Sequence, residues 1–501
     1  MQGIGDWAVR RAQLSGNKTA FVYAGKSWTY REFNERTDRL ANHLRDGIGI
    51  RAGDRIAAVV ATSVECLEIL FAGAKIGAIF TPINVRLTAP EIGYVLSDLG
   101  AQTLFVHPMF PQVSDALTQP GVRIRDVITV GDEYEALLAD ASPEPVHPQA
   151  KRHDVAVIMY TSGTTGHPKG AMLTHENLRA NAAAVTASFG LRERDVTITA
   201  LPMFHIGGLG LHTLPFIYVG GTNVILPAFD PVKVLDLVQS ERATQLLLVP
   251  TMWQAIMSIP NLAEYDLSSL DSALTSGAPA PMAVLEYFAE LGIPFQEGFG
   301  MTECAPSVAL LPAESIREKA GSIGRALFGI ETRLVDEQDH DVPVGTVGEL
   351  LVRGDNVFVG YWMRPVETDE VMRGGWYHTG DMGRVDEDGF ITLVDRKKDM
   401  LISGGENVYS REVELVIASM PQVRDVAVVA APHEKWGETP VAFVVLVDNA
   451  ELSEDDVIEF GRERLATFKI PTRVEFLEAL PTTATGKVRK NALRDLTVSA
   501  R

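Results

Sequence analysis

At 501 residues the chain is too long for one hydrophobic core and implies two or more domains. A hydrophobic content of 46% with 22% charged residues is that of a folded globular protein, not a disordered one. The formal net charge of −20 runs against nonspecific nucleic-acid binding, which demands a basic surface. Two cysteines, Cys66 and Cys304, cannot build a disulfide framework or a zinc site, and they read as free thiols of a reducing compartment. The N-terminal residues Met1 to Trp7 lack the basic flank and apolar core of a signal peptide. The most apolar region, Ile56 to Asn84, is broken by Glu65, Glu68 and Lys75. A cytoplasmic location is therefore expected, with peripheral membrane contact left open.

In chain order, the first marked helix is Tyr30 to Arg45, where Phe33, Thr37, Leu40, Ala41 and Leu44 share a face. A strand follows at Arg55 to Val60. Ser63 then caps a helix that buries Leu67, Leu70, Phe71 and Ala74, and the next strand covers Ala78 to Pro82. Ala141 to Gln149 reads as a loop before a β-branched run, Val155 to Met159. Beyond position 400, Val413, Val416, Ile417 and Met420 form a helical stripe behind Ser410. Two strand-like runs, Asp425 to Ala430 and Val441 to Val447, come next, and Ser453 to Asp456 has the form of a capping box. Short strands alternating with helices predict an α/β architecture with largely parallel sheets. The last hundred or so residues read as a separate small domain, with a boundary between about Asp395 and Gly405. No internal repeat is visible.

Between the runs Val155–Met159 and Ala171–Thr174 lies Tyr160-Thr-Ser-Gly-Thr-Thr-Gly-His-Pro-Lys-Gly170. Gly163, Gly166 and Gly170 free the backbone to curl so that successive N–H groups can face one anion. Thr161, Ser162, Thr164 and Thr165 add hydroxyl donors, and Lys169 adds a fixed positive charge. Such a loop suits a polyphosphate. A Walker A loop would need its lysine directly after glycine and before Ser or Thr, whereas here Pro168 precedes Lys169 and Gly170 follows it. An ordinary polar turn is the remaining alternative. The pattern resembles the phosphate-binding signature of the adenylate-forming enzymes: acyl-CoA synthetases, peptide-synthetase adenylation domains and firefly luciferase. That resemblance implies a large N-terminal domain of several mostly parallel-sheet subdomains, 1–396, and a small mobile α+β C-terminal domain, 397–501.

Further segments extend the resemblance, in the family's order along the chain. Leu201-Pro-Met-Phe-His-Ile-Gly-Gly208 is similar to the segment lining the acid pocket, which would place His205 beside the reacting carboxylate. Gly207 and Gly208 would leave room for the acyl group, with Met252, Trp253 and Met301 nearby. Leu209 stands where some long-chain members carry a gating tryptophan. Thr275 to Pro279 and Gln296 to Cys304 resemble the two segments enclosing adenine. The resemblance assigns Gly277, Ala278, Pro279, Glu297, Gly298, Phe299, Gly300 and Met301 to the nucleotide. Thr302 would reach the α-phosphate, and Glu303, with Thr164, would hold Mg²⁺. Asp381, in Trp376 to Asp381, and Arg396 would bind the ribose. Lys397 reads as solvated surface, and Lys398 falls at the family's pivot. Gly348 to Gly354 reads as structural strand and turn. Ser403, Gly404 and Gly405 would pass beside the pantetheine arm, and Lys487 matches the adenylation lysine, with Lys490 its only neighbouring competitor.

The resemblance implies an enzyme using ATP, Mg²⁺ and coenzyme A to activate a hydrophobic carboxylic acid, first of all a fatty acid, through an acyl-adenylate. A carboxylate is a poor electrophile, and attachment to AMP gives it a good leaving group. Three alternatives stay open: an aryl or alicyclic acid–CoA ligase, a stand-alone adenylation protein loading a phosphopantetheine carrier, and luciferase-type oxidation. No aspartate stands in the pocket segments to hold an α-amine, which argues against an amino-acid substrate. The intact charge set argues against a non-catalytic nucleotide sensor. No nucleic-acid partner is expected, and a homodimer is left open.

Overall fold

The computed structural model describes residues 2–161, 168–278, 280–403, 406–433, 436–482 and 488–499. The chain forms two compact units, one of 1–332 with 352–377 and one of 333–351 with 378–501. The 396/397 division expected from the sequence concerns a pivot, and it returns below as a proposal.

The first unit contains two sheets. A nine-stranded sheet runs in the order 325–326, 307–311, 295–300, 272–276, 245–248, 196–199, 222–225, 19–23, 26–29. It is parallel through the centre and antiparallel only at its ends. A six-stranded sheet runs 126–129, 103–106, 55–59, 79–82, 155–161, 169–174, with only the last pair antiparallel. The strands Gln245–Leu248 and Ile79–Pro82 are buried at every residue, as parallel strands covered on both faces must be.

The predicted first helix is Tyr30–Asn42, opened by a Thr29–Glu32 capping box. It passes into a π-helical turn, His43–Gly47, whose wider pitch still turns Leu44 into the core. The Ser63 Oγ accepts from the Cys66 N–H at 3.3 Å, and the helix it caps, Val64–Ile76, is almost wholly buried. Of the three charges that interrupt the apolar region, Glu68 and Lys75 are internal and Glu65 is half-buried. Lys75 Nζ lies 2.6 Å from Asp38, and Glu68 bonds Arg36 at 2.5 Å and the Tyr134 hydroxyl at 2.7 Å. Among the described residues no helix is long and apolar enough to cross a membrane.

In the second unit the strands Val423–His433 and Gly437–Leu446 form a long antiparallel pair, longer than their apolar runs predict. Both faces are covered. Val426, Val428, Ala442 and Val444 pack with Val413 and Ile417, while Ala427, Val429, Val441 and Phe443 pack with Leu480 and Leu493. The Ser453 capping box is present, with Asp456 as its acidic partner.

Candidate active site

The segment expected to bind phosphate connects two antiparallel strands. Val155–Thr161 returns as Lys169–Thr174, with Thr161 opposite Lys169 and Tyr160 opposite Gly170. Lys169 thus sits on a sheet ladder at the loop's exit. A Cβ on Gly170 would come within 2.6 Å of the Ile158 side chain and 3.3 Å of the Tyr160 ring, so only glycine fits. Ser162, Gly163, Thr164, Thr165 and Gly166, and with them the Thr164 metal assignment, lie outside the described residues.

Lys169 Nζ stands 5.5 Å from the centroid of the Tyr361 ring, within cation–π range. The Tyr361 hydroxyl donates to Glu303 Oε1 at 2.9 Å. Burial, followed by the Glu303 charge, pushes the phenol well above its ordinary range, so it remains a donor. One tyrosine therefore touches the loop lysine with its face and the proposed metal carboxylate with its hydroxyl. Sequence reasoning passed over it. The segment around it pairs with the phosphate strand: Met172 N–H donates to Gly360 O at 2.9 Å and Trp362 N–H to Gly170 O at 2.7 Å. The only local signal was the aromatic pair Tyr361-Trp362 after Gly360.

Glu303 stands on a 3₁₀ turn, Thr302–Cys304, at the end of the strand Phe295–Gly300. A Cβ on Gly300 would meet Pro306 O at 2.2 Å, which fixes glycine where the chain crosses itself. Carboxamides hold this turn. Asn356 Nδ2 donates to Cys304 O at 2.8 Å and Ser307 O at 2.9 Å. Asn181 Nδ2 donates to Gly210 O at 2.7 Å, and its Oδ1 accepts from Ser307 N–H at 3.1 Å. Asn181 stands on the helix His175–Phe189, which begins where the phosphate strand ends. It joins that strand to the acid segment and to the Glu303 turn.

The two adenine segments are neighbouring strand ends, Ser276 pairing with Gly298. Gly277 has φ +90, which favours glycine, and a Cβ on Gly298 would make ordinary contact with Leu274 at 3.6 Å. Ala278 is exposed; Phe299, Met301 and Thr302 are half-buried; Pro279 lies outside the described residues. Glu297 is buried, accepting weakly from Ala280 N–H at 3.4 Å.

In the acid segment His205 is half-buried, its ring 4.7 Å from that of Phe204. The two glycines differ. A Cβ on Gly208 would lie 2.2 Å from Pro202 O, so its own backbone requires glycine, whereas Gly207 faces open space. Leu209 is fully buried, and His212 bonds Thr197 at 3.0 Å while burial pushes its imidazole down to about 3. Trp253, expected near the acyl group, is instead core. Its Nε1–H donates to Leu274 O at 3.2 Å, and its ring meets Phe288 and Phe295 at 4.7 and 5.0 Å.

The second unit carries the two residues expected at the ribose. Asp381 and Arg396 face each other on adjacent strands and form an ion pair at 2.5 Å, the aspartate buried and the arginine exposed. Lys397 is not simply solvated. It pairs at 2.9 Å with Glu349, a buried carboxylate that burial would raise but that Lys397 and then His378 hold below its ordinary range. Ser403 is buried opposite Glu406 and Gly437, while Gly404, Gly405 and Lys487 lie outside the described residues. Lys490 is committed elsewhere. Its Nζ lies 2.7 Å from Glu414 and donates to Ser410 Oγ at 2.5 Å, which leaves it unsuited to compete with Lys487.

Two family models match the chain: AMP-binding enzyme over residues 8–362 and AMP-binding enzyme C-terminal domain over 412–487. A feruloyl-CoA synthase of an Amycolatopsis species is 43% identical, covering 98% of this chain and 99% of its own. A long-chain-fatty-acid–CoA ligase of Mycobacterium tuberculosis is 38% identical, covering 99% and 98%. Among solved structures, the o-succinylbenzoate coenzyme A synthetase of Bacillus subtilis in complex with ATP and magnesium ion matches with a TM-score of 0.88 and 31% identity. It covers 98% of this chain and 99% of that one.

Proposed function

The chain belongs to the AMP-binding enzyme family as an AMP-forming acid–CoA ligase working through an acyl-adenylate, and on that premise we propose that its acid is hydrophobic and carries no second charge. The observation that carries this is the acid segment. From Leu201 to Val219 it contains no Asp, Glu, Lys or Arg, and His212 is buried and neutral. Apart from His205, expected beside the reacting carboxylate, it carries no side chain that would take a charge to pair with a second carboxylate or an ammonium group, and Gly207 leaves space beside His205. Sequence alone points first to a fatty acid. The higher identity to a feruloyl-CoA synthase, 43% against 38%, moves an aromatic acid of that type ahead of it.

The proposed roles follow from chemistry. Adenylation brings two anions together, so Lys487 would bridge the carboxylate and α-phosphate while Lys169 steadies the departing pyrophosphate. Among the described residues no cluster of three or more His, Cys, Asp or Glu could cage a metal. The donor set nevertheless fits Mg²⁺, which binds through one or two carboxylates together with substrate phosphates, and Glu303 is such a carboxylate. When bound, Mg²⁺ would neutralise phosphate charge. Asp381 and Arg396 would hold the ribose, and Phe299 would stack on the base. For thioester formation we propose that the C-terminal domain, 397–501, pivots at Lys398 and exchanges the Lys487 loop for the loop from Ser403 to Tyr409.

The test is ATP–pyrophosphate exchange across cinnamic-type acids, fatty acids, dicarboxylic acids and amino acids, followed by thioester assay with coenzyme A and with a phosphopantetheine carrier. Hydrophobic monoacids should lead by at least about a hundred-fold, the size of a buried unpaired charge's penalty. Preference for a dicarboxylic or amino acid would overturn the reading.

A further inference from the structure

Both stems of the phosphate loop, and the segment that carries Tyr361, lead to one acidic side chain outside every motif considered above. Asp98 stands in the last turn of the helix Ala89–Leu99, which stops at Gly100 in the left-handed conformation. A negative side chain there opposes the partial negative charge of the helix C-terminus, so local preference alone would not place it. Its partners account for it. Asp98 Oδ2 accepts from the Tyr160 hydroxyl at 2.8 Å, on the residue that leads into the loop. Asp98 Oδ1 accepts from the Arg364 guanidinium at 3.0 Å, three residues beyond Tyr361. The backbone carbonyl of Asp98, one of the helix-end carbonyls without an intrahelical partner, accepts from Trp362 Nε1–H at 3.2 Å. Tyr94, one turn earlier on the same helix, closes the ring. It accepts from Arg364 at 3.3 Å and donates to Pro168 O at 3.4 Å, on the residue that leaves the loop. Asp98 is only 13% exposed, so these charge-assisted bonds are poorly screened.

We propose that Asp98 is a positioning residue for phosphate binding, a hub that fixes the entry and exit of the loop and sets Tyr361 between Lys169 and Glu303. Asp98 touches no substrate. It holds Tyr160 and Arg364, they hold the two chain segments, and the segments present Lys169 and the Tyr361 hydroxyl that meets Glu303. This rests on reading residues 161–170 as the loop that takes the phosphates of ATP.

The experiment compares Asp98→Ala, Asp98→Asn and Tyr160→Phe, with Lys169→Ala alongside. It measures KM for MgATP and for the acid in pyrophosphate exchange, and thioester yield from supplied acyl-adenylate. Asp98→Ala should raise KM for MgATP about ten-fold, the scale of a lost hydrogen bond to a charged group. The acid KM should stay within about two-fold, and thioester formation from supplied adenylate should be unchanged. Asp98→Asn still accepts from Tyr160 and should recover part of the loss. Tyr160→Phe should raise KM for MgATP a few-fold alone and add little in the Asp98→Ala background. A native KM for MgATP in Tyr160→Phe, or equal losses in every assay for Asp98→Ala, would overturn the hub. Tyr160→Phe keeps the ring against Gly170, so the hub stays testable even if Asp98→Ala does not fold. Should Lys169→Ala also bind MgATP normally, the loop reading itself falls. If Lys169→Ala alone is impaired, the hub falls and the loop reading stands.

Discussion

At Tyr361 a single side chain meets two opposite charges, and each contact can be removed separately. Tyr361→Phe keeps the ring under Lys169 and deletes the hydroxyl with its bonds to Glu303 and Tyr377. Losing a hydrogen bond to a charged acceptor should lower adenylation about ten-fold. Glu303→Gln keeps the shape of the side chain but removes the charge that would attract Mg²⁺, so activity should fall and the magnesium response should move to higher concentration. Superimposable magnesium curves for native protein and Glu303→Gln would show that Glu303 is not a metal ligand. Lys169 stood out in the sequence because its loop is rich in glycine and hydroxyl side chains, which suits phosphate, whereas Glu303 was singled out only by the resemblance of its segment to the family. Tyr361, Asp98 and Asn181 were not. They act on backbone groups and side chains far away in the chain, and a contact such as Asn181 to Ser307 leaves no mark in the residues around either partner.

Helix starts were the most legible elements, because a capping side chain and its backbone partner are three residues apart and the pattern is local. Ser63 and Ser453 both cap as read. Helix ends were less so: the helix read as running to Arg45 passes at His43–Gly47 into a π-helical turn, with Leu44 still buried, and nothing in those residues signals the change. The helix His175–Phe189 makes the same point through stability. His175 Nδ1 accepts from the Ile4 N–H at 3.2 Å, and burial pushes its imidazole down to about 4. The unfolded chain titrates near 6.5, so between about pH 6.5 and 4 it binds more protons than the folded protein. Stability must therefore fall as pH drops through that window and level off, for this group, below about 4. His175→Asn keeps an acceptor for Ile4 but does not titrate. It should lose less stability than the native protein on going from pH 7 to 5, by up to about 2 kcal/mol. Denaturant unfolding at the two pH values reads this directly, and parallel losses in both proteins would exclude His175 from the acid response.

Across the whole molecule the order of the motifs was readable, because each carries its chemistry within a few residues. The grouping of 333–351 with 378–501 was not, since it is made by bonds between residues distant in the chain, such as Thr379 Oγ1 to Leu350 O at 2.7 Å and Gly380 N–H to Glu349 at 3.2 Å. The proposed pivot has a local physical basis within the second unit. On one side Arg396 is held by Asp381, and Lys397 by Glu349 and, through its N–H, by Gly380 O at 2.8 Å. On the other, Arg494 holds the Lys398 carbonyl at 3.2 Å and Asp399 at 2.6 Å. The backbone at Lys398 joins these two stretches, and the proposed rotation there would have to release the bonds that the Asp399 and Met400 N–H groups make back to Arg396 O at 2.9 and 3.0 Å. Lys398→Pro fixes φ at that link and should spare pyrophosphate release while thioester formation fails. Lys487→Ala removes a charge needed only while carboxylate and α-phosphate approach, so adenylation should drop by roughly 10²–10³, the cost of a lost transition-state donor. The same variant given preformed acyl-adenylate should still make thioester, because Lys487 has no part in the second step. Pyrophosphate release and thioester yield from supplied adenylate, measured on both variants, separate the half-reactions. Equal losses in both assays for both proteins would sink the alternation at Lys398 and leave ATP-dependent activation standing.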